Sequence, residues 1–285
     1  MKRLQTVRWV AVLCGVVVIT LALGDSSRSP LRQTALAAQV NGGEDACSLS
    51  SLRGAYVVSI NGFKTSQAPP QFTISAFSPV MVIGTFTFDG GGNVSRALTV
   101  SVAGNPLPVA DTGSYQINPD CSGSASFSTD TETFGFNFVD SRSLAIVTTT
   151  PGEPGAGTLV KQEIRDCSTK SFRGVYITNG NGLGTFQSPP QPTDAFFPVS
   201  VVGSWTFDGK GGVSRSLSLN FGGYPTPYVD SGTYQVNSDC TASAYFPNDT
   251  EPFQLIFIDL KTIASGVVGP GRAGASTLIK QTLQD

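Results

Sequence analysis

The sequence predicts an all-β protein of two tandem repeated domains, each a small antiparallel β-barrel of about eight strands, behind an N-terminal signal segment. Three observations predict it. The chain matches itself at an offset of about 120 residues, aromatic residues recur at every second position between glycine- and proline-rich turns, and the first residues are basic and then apolar.

Met1 to Leu23 reads as a basic stretch (Lys2, Arg3, Arg8) followed by an apolar run from Trp9 to Leu23, which fits a secretory segment and is short for a membrane span. Cleavage fits after Ala37, in Ala35-Leu36-Ala37, or alternatively after Gly24, with small residues at the critical positions in both cases. Residues 1–37 are accordingly expected to be signal segment and leader, and 38–46 a linker. The competing reading is an uncleaved anchor, which would be the chain's one route to a membrane. Cys14 follows Leu13 rather than a small residue, which argues against a lipoprotein anchor.

The self-match runs from Cys47 to Gln162 against Cys167 to Gln281, with roughly half the positions identical. Arg53-Gly54 answers Arg173-Gly174, Tyr56 answers Tyr176, and Asn61-Gly62 answers Asn181-Gly182. After a one-residue deletion beyond Pro69 and Pro189, Gly84, Asp89, Arg96, Asp111, Tyr115, Cys121 and Glu132 answer Gly203, Asp208, Arg215, Asp230, Tyr234, Cys240 and Glu251. The domains are therefore 47–164 and 167–283, close together because only a few residues separate them.

Within each copy, Phe86 and Phe88 share one face of an extended segment, as do Trp205 and Phe207 in the second copy. Phe134, Phe136 and Phe138 form another period-two stripe, answered by Phe253, Leu255 and Phe257. Further strands are expected over Tyr56 to Ile60, Leu98 to Val102, Gly113 to Ile117, Leu144 to Thr148 and Thr158 to Ile164, with no helical stripe of period 3.6. A closed barrel is preferred to a sandwich because closure removes edges that a chain with only 13% charged residues has few means to protect. The phenylalanine stripes, with Trp205, are then the candidate barrel interior.

Composition excludes several functions. Removing the segment ending at Gly24 takes away three cations, so 15 basic residues face 20 acidic ones and the charge moves from −2 to −5. Nucleic acid is an unsuitable partner for that surface. Histidine is absent, which rules out Ser-His-Asp and Cys-His catalysis and every histidine-ligated metal. Without the signal segment four cysteines remain, an even count suited to an oxidising compartment. Of three connectivities, Cys47 with Cys121 and Cys167 with Cys240 is preferred, since each copy of a duplicated domain should inherit its own bridge.

The remaining motifs carry little chemistry. Asp89-Gly90-Gly91-Gly92-Asn93 and Asp208-Gly209-Lys210-Gly211-Gly212 offer too few ligands for calcium and fit hairpin turns. Neither resembles a phosphate cradle. Asp130 with Glu132, and Asp249 with Glu251, are read as solvated loop carboxylates rather than an acid/base pair. Arg53 with Tyr56, and Arg173 with Tyr176, are candidates for a polar site at a barrel mouth, a salt bridge across the barrel end being the simpler reading. Tyr115 and Tyr234 fit packed rings with a hydrogen-bonded hydroxyl. No residue set calls for a cofactor or metal.

Gly84-Thr-Phe-Thr-Phe-Asp-Gly90 and Gly113-Ser-Tyr-Gln-Ile-Asn-Pro-Asp-Cys121, both echoed in the second copy, resemble stretches of uncharacterised exported bacterial proteins. With its strand count, the chain is similar to the eight-stranded barrels of the allene oxide cyclase and dirigent type. That resemblance implies a largely apolar interior that binds an apolar molecule or steers its cyclisation by shape, and it brings no catalytic residue with it. The expected function is a secreted, periplasmic or cell-surface binding module, its partner an apolar small molecule or a cell-surface component. The alternatives are a cyclase or isomerase and a structural surface component.

Overall fold

A computed structural model describes residues 47–65, 77–129, 132–185, 196–249, 251–267, 269 and 272–282. The signal segment, its cleavage sites and the linker to residue 46 lie outside these, as do Pro69, Pro189, Asp130 and Thr250.

Both repeats are closed antiparallel barrels in which each strand pairs with the next and the last returns to the first. The first barrel comprises β1 (Arg53–Thr65), β2 (Phe77–Asp89), β3 (Asn93–Val102), β4 (Asn105–Ile117), β5 (Ser122–Phe127), β6 (Thr133–Phe138), β7 (Ser143–Thr148) and β8 (Gly155–Lys161). The second comprises β9 (Arg173–Gly184), β10 (Phe197–Asp208), β11 (Gly212–Phe221), β12 (Tyr224–Val236), β13 (Thr241–Tyr245), β14 (Phe253–Phe257), β15 (Thr262–Val267) and β16 (Arg272–Lys280). The expected strands lie inside these except that Gln162, Glu163 and Ile164 belong to the connection between barrels, and the first four strands of each barrel are longer than their apolar runs.

Alternation decides the interior. Tyr56, Val58 and Ile60 face inward with Phe86, Phe88, Phe134 and Phe136, and all are buried. Phe138 is partly buried against the same core. In the second barrel Tyr176, Trp205, Phe207, Leu255 and Phe257 are buried, with Phe253 partly so. Rings meet edge to face, as in Tyr56 with Phe88 at 5.5 Å and Phe88 with Tyr115 at 5.0 Å between centroids, the arrangement the ring quadrupole favours.

One end of each barrel is plugged by the residues that precede it. A 3-10 turn at Leu49–Ser51 delivers the fully buried Leu52, and the Tyr115 hydroxyl donates to the carbonyls of Leu49 and Leu52 at 2.9 and 3.1 Å. Tyr234 does the same for Thr169 and Phe172, both at 3.0 Å. Disulfides Cys47–Cys121 and Cys167–Cys240 fix the start of each plug to the β4–β5 and β12–β13 turns. The bonds suit an oxidising environment.

The β2–β3 and β10–β11 connections are turns. Asp89 Oδ1 accepts from the backbone N–H of Gly91 and Asn93, and Asp208 Oδ1 from those of Lys210 and Gly212. Gly90 and Gly209 supply the positive φ of 81° and 76° that the turn requires.

The barrels pack through their outer faces. Val57, Met81 and Ile83 of the first meet Ile256, Ile258, Ala264, Ala273 and Ala275 of the second in a shared apolar cluster. The short connection lies along this seam, with Glu163 N–H donating to the Ile258 carbonyl at 2.9 Å and the Gln162 side chain to that of Phe257 at 2.8 Å.

Turn carboxylates set the pH dependence. Hydrogen bonds from Asn93 and Gly91 hold Asp89 below the ordinary carboxylate range; Ser122 does so for Asp120, Arg142 for Asp140 and Lys210 for Asp208. A folded-state pKa below the unfolded one contributes stability above the unfolded value, near 4, that is lost as pH falls through the depressed value. With no histidine to titrate, the urea midpoint is expected to stay flat from about pH 5 to 8 and to fall below about pH 4. A midpoint that changes near pH 6.5 would contradict this.

Candidate functional site

The wall of each barrel has a gap that an arginine closes. β4 pairs with β3 over Asn105–Ser114 but with β5 only over Gly113–Ile117, so half of β4 has no second ladder neighbour. Pro106 and Pro108 lie in that half, opposite Ser101 and Thr99. The Thr112 carbonyl, of the same parity, accepts from Ser128 on the far side, so the missing proline N–H groups are those that would face the open edge. Pro225 and Pro227 repeat this in β12.

Ser128 and Thr129, which follow β5, bond to this half of β4, and Glu132, which precedes β6, is held by Arg96, an inward-facing β3 residue with a fully buried side chain. Its Nε donates to Asp111 at 2.5 Å and its Nη1 to Glu132 at 2.7 Å, while Thr129 of the loop also hydrogen-bonds Asp111. The guanidinium lies 4.0 Å from the Phe127 ring centre. Burial alone would raise the Asp111 carboxyl, but hydrogen bonds from Arg96 and Thr129 outweigh it and hold the pKa below its ordinary value.

In the second barrel Arg215 pairs with Asp230 at 2.6 Å and with Asp249, which also takes Arg272 at 2.8 Å. Arg215 stands 3.7 Å from the Phe246 ring centre and 4.9 Å from that of Tyr228. Burial opposes its charge, yet the hydrogen bond it donates to Asp230 and the charge of Asp249 hold the guanidinium above its ordinary pKa. Glu132 and Asp249 therefore correct the expectation of solvated loop carboxylates: a buried cation binds each across the gap.

The two interiors differ in one respect. The open end of the second barrel contains a cavity of about 390 Å³, whereas the same region of the first retains about 40 Å³. The duplication identifies the residues responsible. Ile60, opposite Gly157 in the first barrel, becomes Gly180 opposite Ser276 in the second; Ile146 becomes Ser265, and Val58 becomes Thr178. Two isoleucine side chains are thus exchanged for a hydrogen atom and a hydroxymethyl group. At the rim, Lys64 and Glu153 close the first barrel with an ion pair, while their counterparts are Gly184 and Arg272. The cavity wall is mostly apolar, with Trp205, Leu217, Leu219, Phe221, Tyr228 and Phe253.

Of the expected interior residues, Trp205 and Phe253 line this cavity, whereas Phe207 and Phe257 pack beneath it. Phe86, Phe88, Phe134 and Phe136 fill the first barrel. The candidate polar sites do not assemble. Alternation sends Tyr56 and Tyr176 into the core while Arg53 and Arg173 stay exposed beside the turn glycines. Among the described residues no carboxylate forms an ion pair with either arginine. Burial, with Tyr234 and Asp259 nearby, pushes the Tyr176 hydroxyl up to about 12, so it stays a neutral donor, 3.5 Å from the Leu260 carbonyl.

Arg96, Arg215 and the cavity hydroxyls were not singled out by sequence reasoning as site residues. An arginine at an inward position of Val94-Ser-Arg96-Ala-Leu98 was the available signal for the clamp. Comparison of the two copies shows Thr178, Gly180 and Ser265 as substitutions, but not that they border an open space.

No family model and no curated protein matches the chain. Among solved structures, a protein of unknown function from the DUF3598 family of Nostoc punctiforme aligns with 84% of this chain and 100% of its own, at 10% identity and a TM-score of 0.23. A likeness that loose carries no argument about function.

Proposed function

We propose that this is an exported binding protein whose second barrel holds a mainly apolar small molecule, the first barrel being a filled structural counterpart. The observation that carries this reading is the difference between about 390 and about 40 Å³ at equivalent places in two copies of one domain. A cavity of this size lies within the usual range for ligand sites and takes roughly 15 non-hydrogen atoms, scaling from benzene in about 150 Å³. Two disulfides and the basic-apolar N-terminal segment support a secreted, periplasmic or cell-surface location.

Shape-guided cyclisation driven by a carboxyl group would need one free at the cavity wall. Asp249, the carboxylate there, is engaged by Arg215 and Arg272, which supports binding over catalysis.

The test is to return first-barrel residues to the second: Gly180→Ile with Ser276→Gly, and Ser265→Ile. Naphthalene serves as probe, read by quenching of Trp205 in a Trp9→Phe background so that one indole reports. Binding is expected to weaken by at least about tenfold while thermal stability holds or rises, since filling a cavity typically stabilises. Undiminished binding in the filled variant would overturn the assignment to this cavity.

A further inference from the structure

The hydroxyls that line the cavity also say what belongs in it. Ser265 is 2% exposed and lines the cavity, and no side-chain hydrogen bond joins it to another described residue, so its Oγ is open to the cavity. Thr178, 1% exposed, reaches Ser276 across the β9–β16 seam at 3.4 Å. All three stand where the first barrel has valine, isoleucine or glycine, so each change brings in a hydroxyl, and at Ser265 it also replaces a large side chain by a small one. An apolar occupant that displaces water from this hydroxyl without bonding it leaves it unpaired, which is unfavourable.

The charges around the cavity balance. Arg215 and Arg272 are offset by Asp230 and Asp249, and every one of these groups already has an ionic partner. An ionised ligand would therefore lose its hydration without finding a free counter-charge inside. Taking the cavity as the binding site proposed above, we infer that its ligand is uncharged and carries a hydroxyl or carbonyl group that hydrogen-bonds Ser265 Oγ. The apolar remainder of such a ligand lies against Trp205, Leu217 and Phe253, nearer the mouth.

Three probes of one shape test this on the full chain carrying Trp9→Phe: naphthalene, 2-naphthol and 2-naphthoate, titrated against Trp205 emission at pH 7. The expected order puts 2-naphthol about tenfold or more tighter than naphthalene, with 2-naphthoate weaker than 2-naphthol. In Ser265→Ala the preference for 2-naphthol over naphthalene disappears while naphthalene affinity is retained, a change too small to open the barrel. Equal binding of naphthol and naphthalene, or a preference that survives Ser265→Ala, overturns the role of Ser265 and leaves the cavity as a binding site. Tightest binding by 2-naphthoate overturns the uncharged ligand and points to the rim cation Arg272. Failure of all three probes to bind overturns this inference together with the function on which it rests.

Discussion

Arg215→Ala is expected to destabilise the second barrel by about 3–5 kcal/mol, because it leaves the almost buried Asp230 without a cation and Asp249 with only the exposed Arg272. Their side chains are only 8% and 7% exposed, so water cannot replace the guanidinium. The clamp also ties Asp249, between β13 and β14, to Asp230 of β12, so its loss frees that link as well as leaving charge unpaired. Scanning calorimetry should register a fall of about 10 °C or more in the transition that contains this barrel. Removing all three charges, with Arg215→Met, Asp230→Asn and Asp249→Asn, should recover about half of the loss, since the uncompensated ions and not the missing pair carry most of the penalty. A change below about 1 kcal/mol in Arg215→Ala would mean that the clamp is ornamental.

Removing a disulfide is expected to have an effect of similar size. The bonds link cysteines 74 and 73 residues apart, and the loop-closure entropy they withdraw from the unfolded chain amounts to about 4 kcal/mol each. Alanine is the suitable replacement. Cys121 and Cys240 sit at φ of 65° and 67°, and alanine keeps the Cβ strain that glycine would relieve, so Cys167→Ala with Cys240→Ala isolates the bond itself. Urea unfolding of this variant should match that of the native chain's second barrel under reductant. If the variant is as stable as the oxidised protein, the plug formed by Phe172 and the Tyr234 hydroxyl holds that end of the barrel without covalent help.

Much of the architecture is written locally. The period-two rings at Phe86, Phe88, Phe134 and Phe136 need a common interior, and Asp-Gly turns at Asp89 and Asp208 reverse the chain between long strands. The cysteine pairing followed from duplication, because a bridge within each copy survives the copying of one domain. The polar groups were less legible. Arg53 and Tyr56 are three residues apart, and on an extended strand that odd spacing puts one in solvent and the other in the core. Glu132 and Asp249 look like loop carboxylates in sequence because the arginines that bind them lie 36 and 34 residues away.

The amino-acid sequence alone determined the class, the duplication, the strand faces and the disulfide pairs, since each depends on periodicity or on a match between copies. Tertiary structure alone decided that the two interiors differ, that Arg96 and Arg215 close the gaps in the walls, and that Ser265 faces an open space. Free volume depends on how side chains from eight strands meet around a closed ring, and replacing two isoleucines by glycine and serine leaves the strand pattern of the chain unchanged while emptying that volume.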